Sequence, residues 1–119
     1  MSRLEAAISA AGMTVFAKID HGAAASAVHM ALRTTELVIF GNAKGGTLLM
    51  QVDQAVGIDL PLKTLVYQDP SGKVWVTYND PTWIAGRHGL GVALSPAVTA
   101  MTSALNTIIA NATDTDSQG

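Results

Sequence analysis

Apolar side chains recur along the chain with two different periods, one typical of helices and one typical of strands. Residues 4–11 repeat them every three or four positions, which predicts a short helix that Gly12 ends. Residues 13–20 alternate instead, as a strand does. The alternation places Val15, Ala17 and Ile19 on one face of this strand and Phe16 and Lys18 on the other.

The next segment is rich in alanine and predicts a second helix, residues 22–32, with Asp20 as its N-cap. The predicted buried face of this helix consists of Ala24, Ala27, Val28 and Ala31. Residues 36–42, "ELVIFGN", are a continuous apolar run, which predicts a central strand covered on both faces. The glycine-rich stretch "GNAKGGT", residues 41–47, predicts a loop.

The second half of the chain predicts two further strands. Residues 48–58 are weakly helical, and Pro61 restarts an extended segment. Residues 62–68 and 74–79 read as strands that a type I turn at "DPSG" joins. The predicted order is α-β-α-β-(α)-β-β-(α)-α. This order predicts a two-layer α+β sandwich, with about four strands and helices packed on one face of the sheet.

The segment from Gly89 to Thr113 has no charged residue and is long enough to cross a membrane. Its apolar residues nevertheless follow one helical stripe, formed by Leu94, Val98, Met101, Leu105 and Ile108. Uncharged polar residues lie opposite this stripe, namely Thr99, Thr102, Ser103 and Asn106. The pattern predicts an amphipathic helix of the folded domain, and no membrane contact.

Composition narrows the class of protein. A chain of 119 residues predicts a single domain, residues 1–112, and residues 113–119 are expected to form a frayed polar tail. Charged residues make up 13% of the chain, against roughly 25% in an average soluble domain. So little charge leaves apolar surface to be covered, and we expect a homodimer. A net charge of −2 gives no electrostatic reason to bind nucleic acid.

Cysteine is absent from the sequence, which excludes disulfides, thiolate nucleophiles and cysteine-ligated metals. Ser95 and Ser103 lie in no nucleophile motif, and no helix carries paired metal ligands three or four residues apart. We therefore expect neither a metal nor a cofactor, although two histidines and a carboxylate brought together by the fold stay an alternative. No apolar leader begins the chain, so the expected location is cytoplasmic unless a leader has been removed.

Four stretches of the chain carry a family resemblance. They are "VFAKIDH" (15–21), "LVIFGNAKGGTLLM" (37–50), "DLPLKTLVYQD" (59–69) and "VWVTYNDPTWIAGRHGL" (74–90). In this order they resemble domain-of-unknown-function family 302. The resemblance implies a small α+β domain with a mostly antiparallel sheet, a layout like that of the TATA-binding protein, and a homodimer. It implies no established activity and no assigned catalytic residue.

The chain departs from the family pattern at three positions. Ala43 and Thr34 stand where the family commonly has proline, and His29 stands where it commonly has glycine. Without the prolines, both connections are expected to be less rigid. The three short stretches that carry the ionisable side chains do not depart from the family pattern. They are Asp20-His21, Asn79-Asp80-Pro81 and Arg87-His88-Gly89.

Two histidines are the candidates for acid/base chemistry. His21 follows Asp20 at a strand end, and His88 lies near the end of a short helix. A histidine oriented by a carboxylate can move protons or bind a metal, and Asp20 and Asp80 are the candidate partners. The alternative is structural, because Asp20 would cap the second helix and Asp80, followed by Pro81, would begin the short one.

The stretch "GNAKGGT" is a candidate anion site, because backbone N–H groups with Lys44 beside them can hold a negative charge. The lysine precedes the glycines, unlike the order in a Walker-type phosphate loop, and a plain turn is the alternative. In "YNDPTWIAGRHGL", Arg87 and His88 complement a helix dipole before the C-cap Gly89. Gly86 lies inside the helix, where glycine is unfavourable and serves as no cap, so it indicates close approach by another group.

Three hypotheses follow. The first is a homodimer that binds a small anionic or carbonyl-bearing ligand through His21, Asn42, Lys44, Asn79, Arg87 and His88. The second is an enzyme that uses His21 or His88 as general acid/base or metal ligand. The third is a structural dimer without a ligand, held through the uncharged face of the last helix. The ligand contacts meet if the first two strands are parallel, or if a dimer partner supplies the missing half.

Overall fold

The computed structural model describes residues 1–113, so residues 114–119 of the predicted tail lie outside the described part. The helices are α1 (Ser2–Ala10), α2 (His21–Ala27), α3 (Ala43–Val52), α4 (Pro81–Arg87) and α5 (Ser95–Thr113). The strands are β1 (Thr14–Asp20), β2 (Thr35–Gly41), β3 (Leu62–Gln68) and β4 (Val74–Tyr78). Two 3₁₀ turns cover Gln54–Asp59 and Val92–Leu94.

The four strands form one sheet in the order β1-β2-β3-β4, and every neighbouring pair is antiparallel. Sequential strands therefore lie side by side, although only β3 and β4 are joined by a short turn, and α2 and α3 lie within the other two connections. The turn between β3 and β4 closes where the Gly72 N–H donates to the Asp69 carbonyl at 2.9 Å. The predicted α+β class, with a four-stranded antiparallel sheet and helices packed against it, is confirmed.

The main core lies between one face of the sheet and helices α1 and α5. The alternation of β2 and β3 places Val38, Phe40, Leu62 and Val66 on this face. They pack against Leu4, Ala7 and Ile8 of α1 and against Leu105 and Ile108 of α5. Full burial of each large apolar side chain contributes about 1.5–3 kcal/mol, so this face anchors both helices.

A second, smaller apolar cluster connects α3, the first 3₁₀ turn and α4. Leu49 of α3, Val56 of the first 3₁₀ turn and Ile84 of α4 are its buried members. Half-buried Leu94 and Met101 pack against them from the chain around the start of α5. The cluster fixes α3, the 3₁₀ turn and α4 relative to one another.

A β-bulge breaks the predicted alternation of β1. Val15 lies opposite Phe40, but Ala17 lies opposite Ile39, so Phe16 is the extra residue. Because cross-strand partners share a face, Val15 lies with Phe40 on the face that meets the helices. Ala17 and Ile19 lie on the other face, with their partners in β2. The prediction that Val15, Ala17 and Ile19 share one face is therefore wrong.

The other face of the sheet is apolar and open. Cross-strand rows place Ile19, Leu37 and Leu65 beside one another on it, with Trp75 in the neighbouring row. Ile19 and Trp75 are 41% and 42% exposed. The prediction that the β2 run is covered on both faces is wrong, because only Val38 and its helix-facing neighbours are fully buried. We call this surface, formed by Ile19, Leu37, Ile39, Leu65, Tyr67 and Trp75, the open sheet face.

Helix α2 is shorter than predicted, and none of its residues is buried. Its predicted buried face is therefore wrong. The helix ends because Met30 N–H donates to the Ala25 carbonyl and His29 N–H donates to the Ser26 carbonyl, with His29 at φ 61°. This is the Schellman arrangement, in which glycine is the usual residue at the left-handed position. A histidine there costs about 1–2 kcal/mol of backbone strain.

Helix α3 occupies most of the stretch predicted to be a loop, so that prediction is wrong. Asn42 caps it, since Asn42 Oδ1 accepts from the N–H groups of Lys44 and Gly45 at 2.9 and 3.3 Å. Two glycines in a helix each cost about 1 kcal/mol relative to alanine, yet the buried Leu49 holds the helix on the second cluster. Ala43 is its first residue, the position where proline is favoured.

Within the described residues, Val92–Thr113 is the one helical segment long and apolar enough to cross a membrane by length and composition. Its predicted apolar stripe is present, with Val98, Leu105 and Ile108 buried on the domain side. Asn106, on the opposite side, is exposed. In this fold α5 therefore supplies Leu105 and Ile108 to the main core.

The β3–β4 turn is organised by one carboxylate. Asp69 accepts hydrogen bonds from Trp75 Nε1 at 2.8 Å, from the Ser71 hydroxyl at 2.7 Å, and from the N–H groups of Ser71 and Lys73. These donors, Trp75 first, lower the pKa of Asp69 from its ordinary 3.8 to about 2. The charged form of Asp69 therefore stabilises the fold.

We expect this linkage to appear in the pH dependence of unfolding. Because the folded pKa is depressed, the contribution of Asp69 is full above about pH 4 and is lost as the pH falls towards 2. Asp69→Asn should lower the urea midpoint at pH 7 and flatten its decline between pH 4 and 2. Asp53→Asn, at another cap, is the matched control. If the urea midpoint of Asp69→Asn falls between pH 4 and 2 as steeply as that of the wild type, the assignment is contradicted.

Candidate functional site

One acidic side chain joins two cationic or titratable ones near the end of α4. Arg87 Nη1 lies 2.9 Å from Asp59 Oδ1 and 3.0 Å from Oδ2. His88 Nε2 lies 2.6 Å from Asp59 Oδ2. The side chains of Asp59 and His88 are 12% and 11% exposed, whereas that of Arg87 is 49% exposed. We call these three residues the Asp59 cluster.

Local structure explains how the Asp59 cluster forms. Asp59 ends the first 3₁₀ turn, and Ile84 holds α4 against that turn through the second apolar cluster. The hydrogen bond with His88 holds the pKa of Asp59 below its ordinary value, and the charges of Arg87 and Lys63 act in the same direction against the effect of burial. Asp59 is therefore a carboxylate at neutral pH.

The fourth helix begins and ends as its sequence predicts. Asp80 Oδ1 accepts from the Thr82 N–H at 2.9 Å, and Pro81 is the first helical residue. Gly89 takes φ 63° just after the helix, as a C-cap glycine does. Apart from its chain neighbours and the backbone of its own helix, nothing in the described chain lies within 4 Å of where a Cβ on Gly86 would stand, so the close approach predicted there is not found within the molecule.

The sheet separates the predicted site residues into two groups. Asn42 and Asn79 directly follow β2 and β4 at one end of the sheet, which we call the Asn42 end. Asp20 and His21 lie at the opposite end of β1, about 20 Å away along the strand. The first two strands are antiparallel, so within one chain His21 does not join the other predicted contacts.

Asp20 serves as a cap. Its Oδ1 accepts from the Ala23 N–H at 2.8 Å, and α2 begins at His21. Asp80 caps α4 in the same way. The carboxylate that contacts a histidine is therefore Asp59, beside His88.

An apolar cavity of about 240 Å³ opens at the Asn42 end. Three methionines form much of its wall, one just before β1, one in α3 and one in α5, and the bulged Phe16, 51% exposed, stands beside them. The wall consists of Met13, Met50 and Met101, of Phe16, Leu60, Pro61 and Leu62, and of Asn42, Ala43, Gly45, Gly46 and Thr47. We call this the methionine cavity.

The polar part of the wall comes from the start of α3. Asn42 Oδ1 is already engaged by the Lys44 and Gly45 N–H groups, and the Gly46 N–H donates to the Asn42 carbonyl at 3.0 Å. The backbone donors predicted to bind an anion are therefore occupied, which leaves the Asn42 amide NH₂ as a donor. Lys44 lines an adjoining groove between α3 and α5 that shares Asn42 and Met101 with the cavity.

The two glycines of α3 keep the cavity open. A Cβ on Gly45 would stand 3.5 Å from Met101 Cε, and one on Gly46 would stand 3.8 Å from Leu60 Cδ1. These are ordinary van der Waals distances, so packing within the chain does not require either glycine. Both lower the helix propensity of α3, and both border the empty volume.

Sequence reasoning missed Asp59 and the methionine cavity. Asp59 stands in the family stretch "DLPLKTLVYQD", but nothing in its spacing connects it to His88, 29 residues later. The methionines are far apart in sequence and meet because α3, α5 and the connection before β1 lie side by side. Among residues 1–113, no group of three or more His, Asp or Glu side chains is placed to hold a metal ion.

Comparisons with known proteins agree with this fold. The structure of an uncharacterized conserved protein DUF302 from Bacillus stearothermophilus matches with a TM-score of 0.82 and 19% identity, over 93% of this chain and 86% of that one. Two curated proteins from Brucella suis and Brucella abortus, both named Fluoride-specific ion channel FluC 1, are 45% identical over 91% of the chain. The chain spans 42% and 40% of their respective lengths. A family model described as "Domain of unknown function DUF302" matches residues 1–108, and the chain belongs to that family.

Proposed function

We propose that this domain is a homodimer that binds a small anionic or carbonyl-bearing ligand in the methionine cavity. The observation that carries the proposal is the Gly45-Gly46 pair, which faces an apolar cavity of about 240 Å³ although a Cβ would fit at either position. Binding sites are mostly apolar and contain a few placed polar groups. Glycines that weaken a helix while enlarging such a cavity are most economically explained by an occupant.

The chemical class of the ligand follows from the polar groups beside the cavity. The Asn42 amide NH₂ can donate a hydrogen bond, and its carbonyl oxygen is used in capping α3. Lys44 adds a positive charge in the adjoining groove. Both groups suit a carbonyl or carboxylate oxygen on the ligand.

The open sheet face supports the homodimer. It presents Ile19 and Trp75 to solvent, with Leu37 and Leu65 half-buried between them. Lys63 shares this face, yet its Nζ turns to the Pro61 carbonyl at 3.2 Å. Contiguous apolar surface of this kind is typical of a protein–protein contact.

The curated relatives suggest where such a domain works. They are named fluoride-specific ion channels, and the chain matches less than half of each. We include in the proposal that, in such longer chains, the domain is a ligand-binding accessory to the channel part.

A cavity-filling variant tests the proposal. Thermal shift and calorimetry with acetate, propionate, benzoate, fluoride and phosphate would identify binding, since a ligand that binds the folded state raises the unfolding midpoint. Gly46→Leu places a side chain in the cavity, where it competes with the ligand for the same volume, so affinity should fall about tenfold or more. Gly46→Ala should give a smaller loss in the same direction.

Gly86→Ala is the matched control, because it also removes a helical glycine but has open space around its Cβ and lies away from the cavity. It should leave affinity unchanged. Equal losses in the two variants would contradict a site at Gly46. If no probe binds the wild type, the structural dimer without a ligand is the better description.

Acid/base catalysis by His88 is a second candidate, which its 2.6 Å contact with Asp59 favours. In this version Asp59 takes the orienting role that the sequence offered to Asp80. His88 is only 11% exposed, so a substrate has little access to it in this conformation. Turnover of a ligand found by the screen, lost in His88→Gln, would support this candidate.

A further inference from the structure

We infer that the ligand carries a single aromatic ring, which the methionines of the cavity hold, and that its polar group is a carboxylate or carbonyl directed at Asn42. This inference rests on the proposed function and names the ligand class of the same site. It draws on three independent features of the cavity, which are the composition of its wall, its size and the position of its polar group.

The composition of the wall favours an aromatic occupant. Three of the five methionines in the chain, Met13, Met50 and Met101, line this one cavity. Thioether sulfurs make favourable contacts with aromatic rings, and the flexible methionine side chain adapts to a flat ligand. Methionine also fills gaps in cores, but here the three side chains border open volume beside Gly45 and Gly46.

Phe16 adds a second contact of the same kind. The bulge in β1 turns it out of the strand alternation, and its Cε2 would lie 3.9 Å from a Cβ on Gly41 at the sheet end. Because it is 51% exposed in the cavity wall, its ring has a free surface for an offset or edge-to-face contact with a second ring.

The size of the cavity matches a single ring. An apolar cavity of about 150 Å³ is enough for benzene. Pockets for drug-sized molecules begin at about 300 Å³. A cavity of about 240 Å³ falls between these values, which leaves room for one ring and a small substituent. That substituent meets the Asn42 amide at the polar part of the wall.

Two matched acids test the inference. Benzoate and cyclohexanecarboxylate share the carboxylate and a six-membered ring, but only benzoate is aromatic. By isothermal titration, we expect the wild type to bind benzoate about fivefold or more tightly than cyclohexanecarboxylate. In Met50→Leu/Met101→Leu, which removes two sulfurs at nearly constant volume, the ratio should fall towards one. A Met30→Leu variant, outside the cavity, should keep the wild-type ratio.

The outcomes separate this inference from the proposal beneath it. Equal or weaker binding of benzoate in the wild type would overturn the aromatic ligand but leave small-ligand binding intact. A ratio that survives in the double methionine variant would overturn the role of the sulfurs. If benzoate fails while acetate, propionate, fluoride or phosphate binds in a Gly46-dependent way, the inference is wrong and the proposed function stands. If none of them binds, both fall.

Discussion

If the proposed homodimer forms across the open sheet face, Leu65→Lys is expected to convert it to a folded monomer at micromolar concentration. Leu65 is half-buried in the row Ile19, Leu37, Leu65 of the open sheet face. In a monomer the lysine can reach water, whereas in a dimer across this face it would be buried without a partner. Because an unpaired buried charge costs several kcal/mol, the dimer should weaken by about 100-fold or more. Size-exclusion chromatography with light scattering measures this directly.

Ser103→Lys is the matched control, because it introduces the same charge on the exposed, uncharged face of α5. It should leave the dimer intact. If Ser103→Lys dissociates the dimer and Leu65→Lys does not, the interface is the helix face that the sequence also suggested. A wild type that is monomeric at micromolar concentration would contradict the homodimer altogether. Circular dichroism melting of both variants shows whether each remains folded.

The ends of the helices show how far local sequence signals reach. Gly12 and Gly89 were predicted to end α1 and the short fourth helix, and both take the left-handed conformation there. His29 takes the same conformation at the end of α2, but without a glycine the sequence gives no stop signal. The prediction therefore extended the helix to residue 32. A prediction from glycine succeeds because only backbone geometry is involved.

The prediction that the stretch "GNAKGGT" forms a loop failed because of tertiary packing. Its glycines correctly indicate low helix propensity, but propensity is a weak effect that tertiary packing overrides. Asn42 caps the segment and Leu49 anchors it in the second cluster, so the helix forms despite Gly45 and Gly46. The pattern of one segment cannot show what the rest of the fold will pack against it.

The candidate site was predictable only in part. The antiparallel sheet brings Asn42 and Asn79 to one end and leaves His21 at the other. Asp59 could not be found from spacing, because its contact with His88 depends on how α4 lies on the 3₁₀ turn. The methionine cavity likewise exists only through packing. Polar residues at element ends are readable in sequence, whereas cavities are properties of the assembled core.

Leu105→Ala is expected to lower the free energy of unfolding by about 2–5 kcal/mol, the usual range for truncating a buried leucine. Leu105 is 1% exposed and packs in the main core with Phe40 and Ile8. The loss combines the transfer of the removed atoms with the cavity left between α5 and the sheet. Urea unfolding followed by circular dichroism gives the value, provided that the transition slope matches the wild type.

Asn106→Ala is the adjacent control, and an exposed substitution of this kind should stay within about 0.5 kcal/mol of the wild type. The contrast tests the role of α5, which by length and composition alone could cross a membrane. A helix whose stripe packs on the sheet must be sensitive at Leu105 and tolerant one residue later, since the two side chains lie on different faces. Similar small effects at both positions would mean that α5 does not form the core. The assignment of Val98, Leu105 and Ile108 to the domain interior would then be wrong.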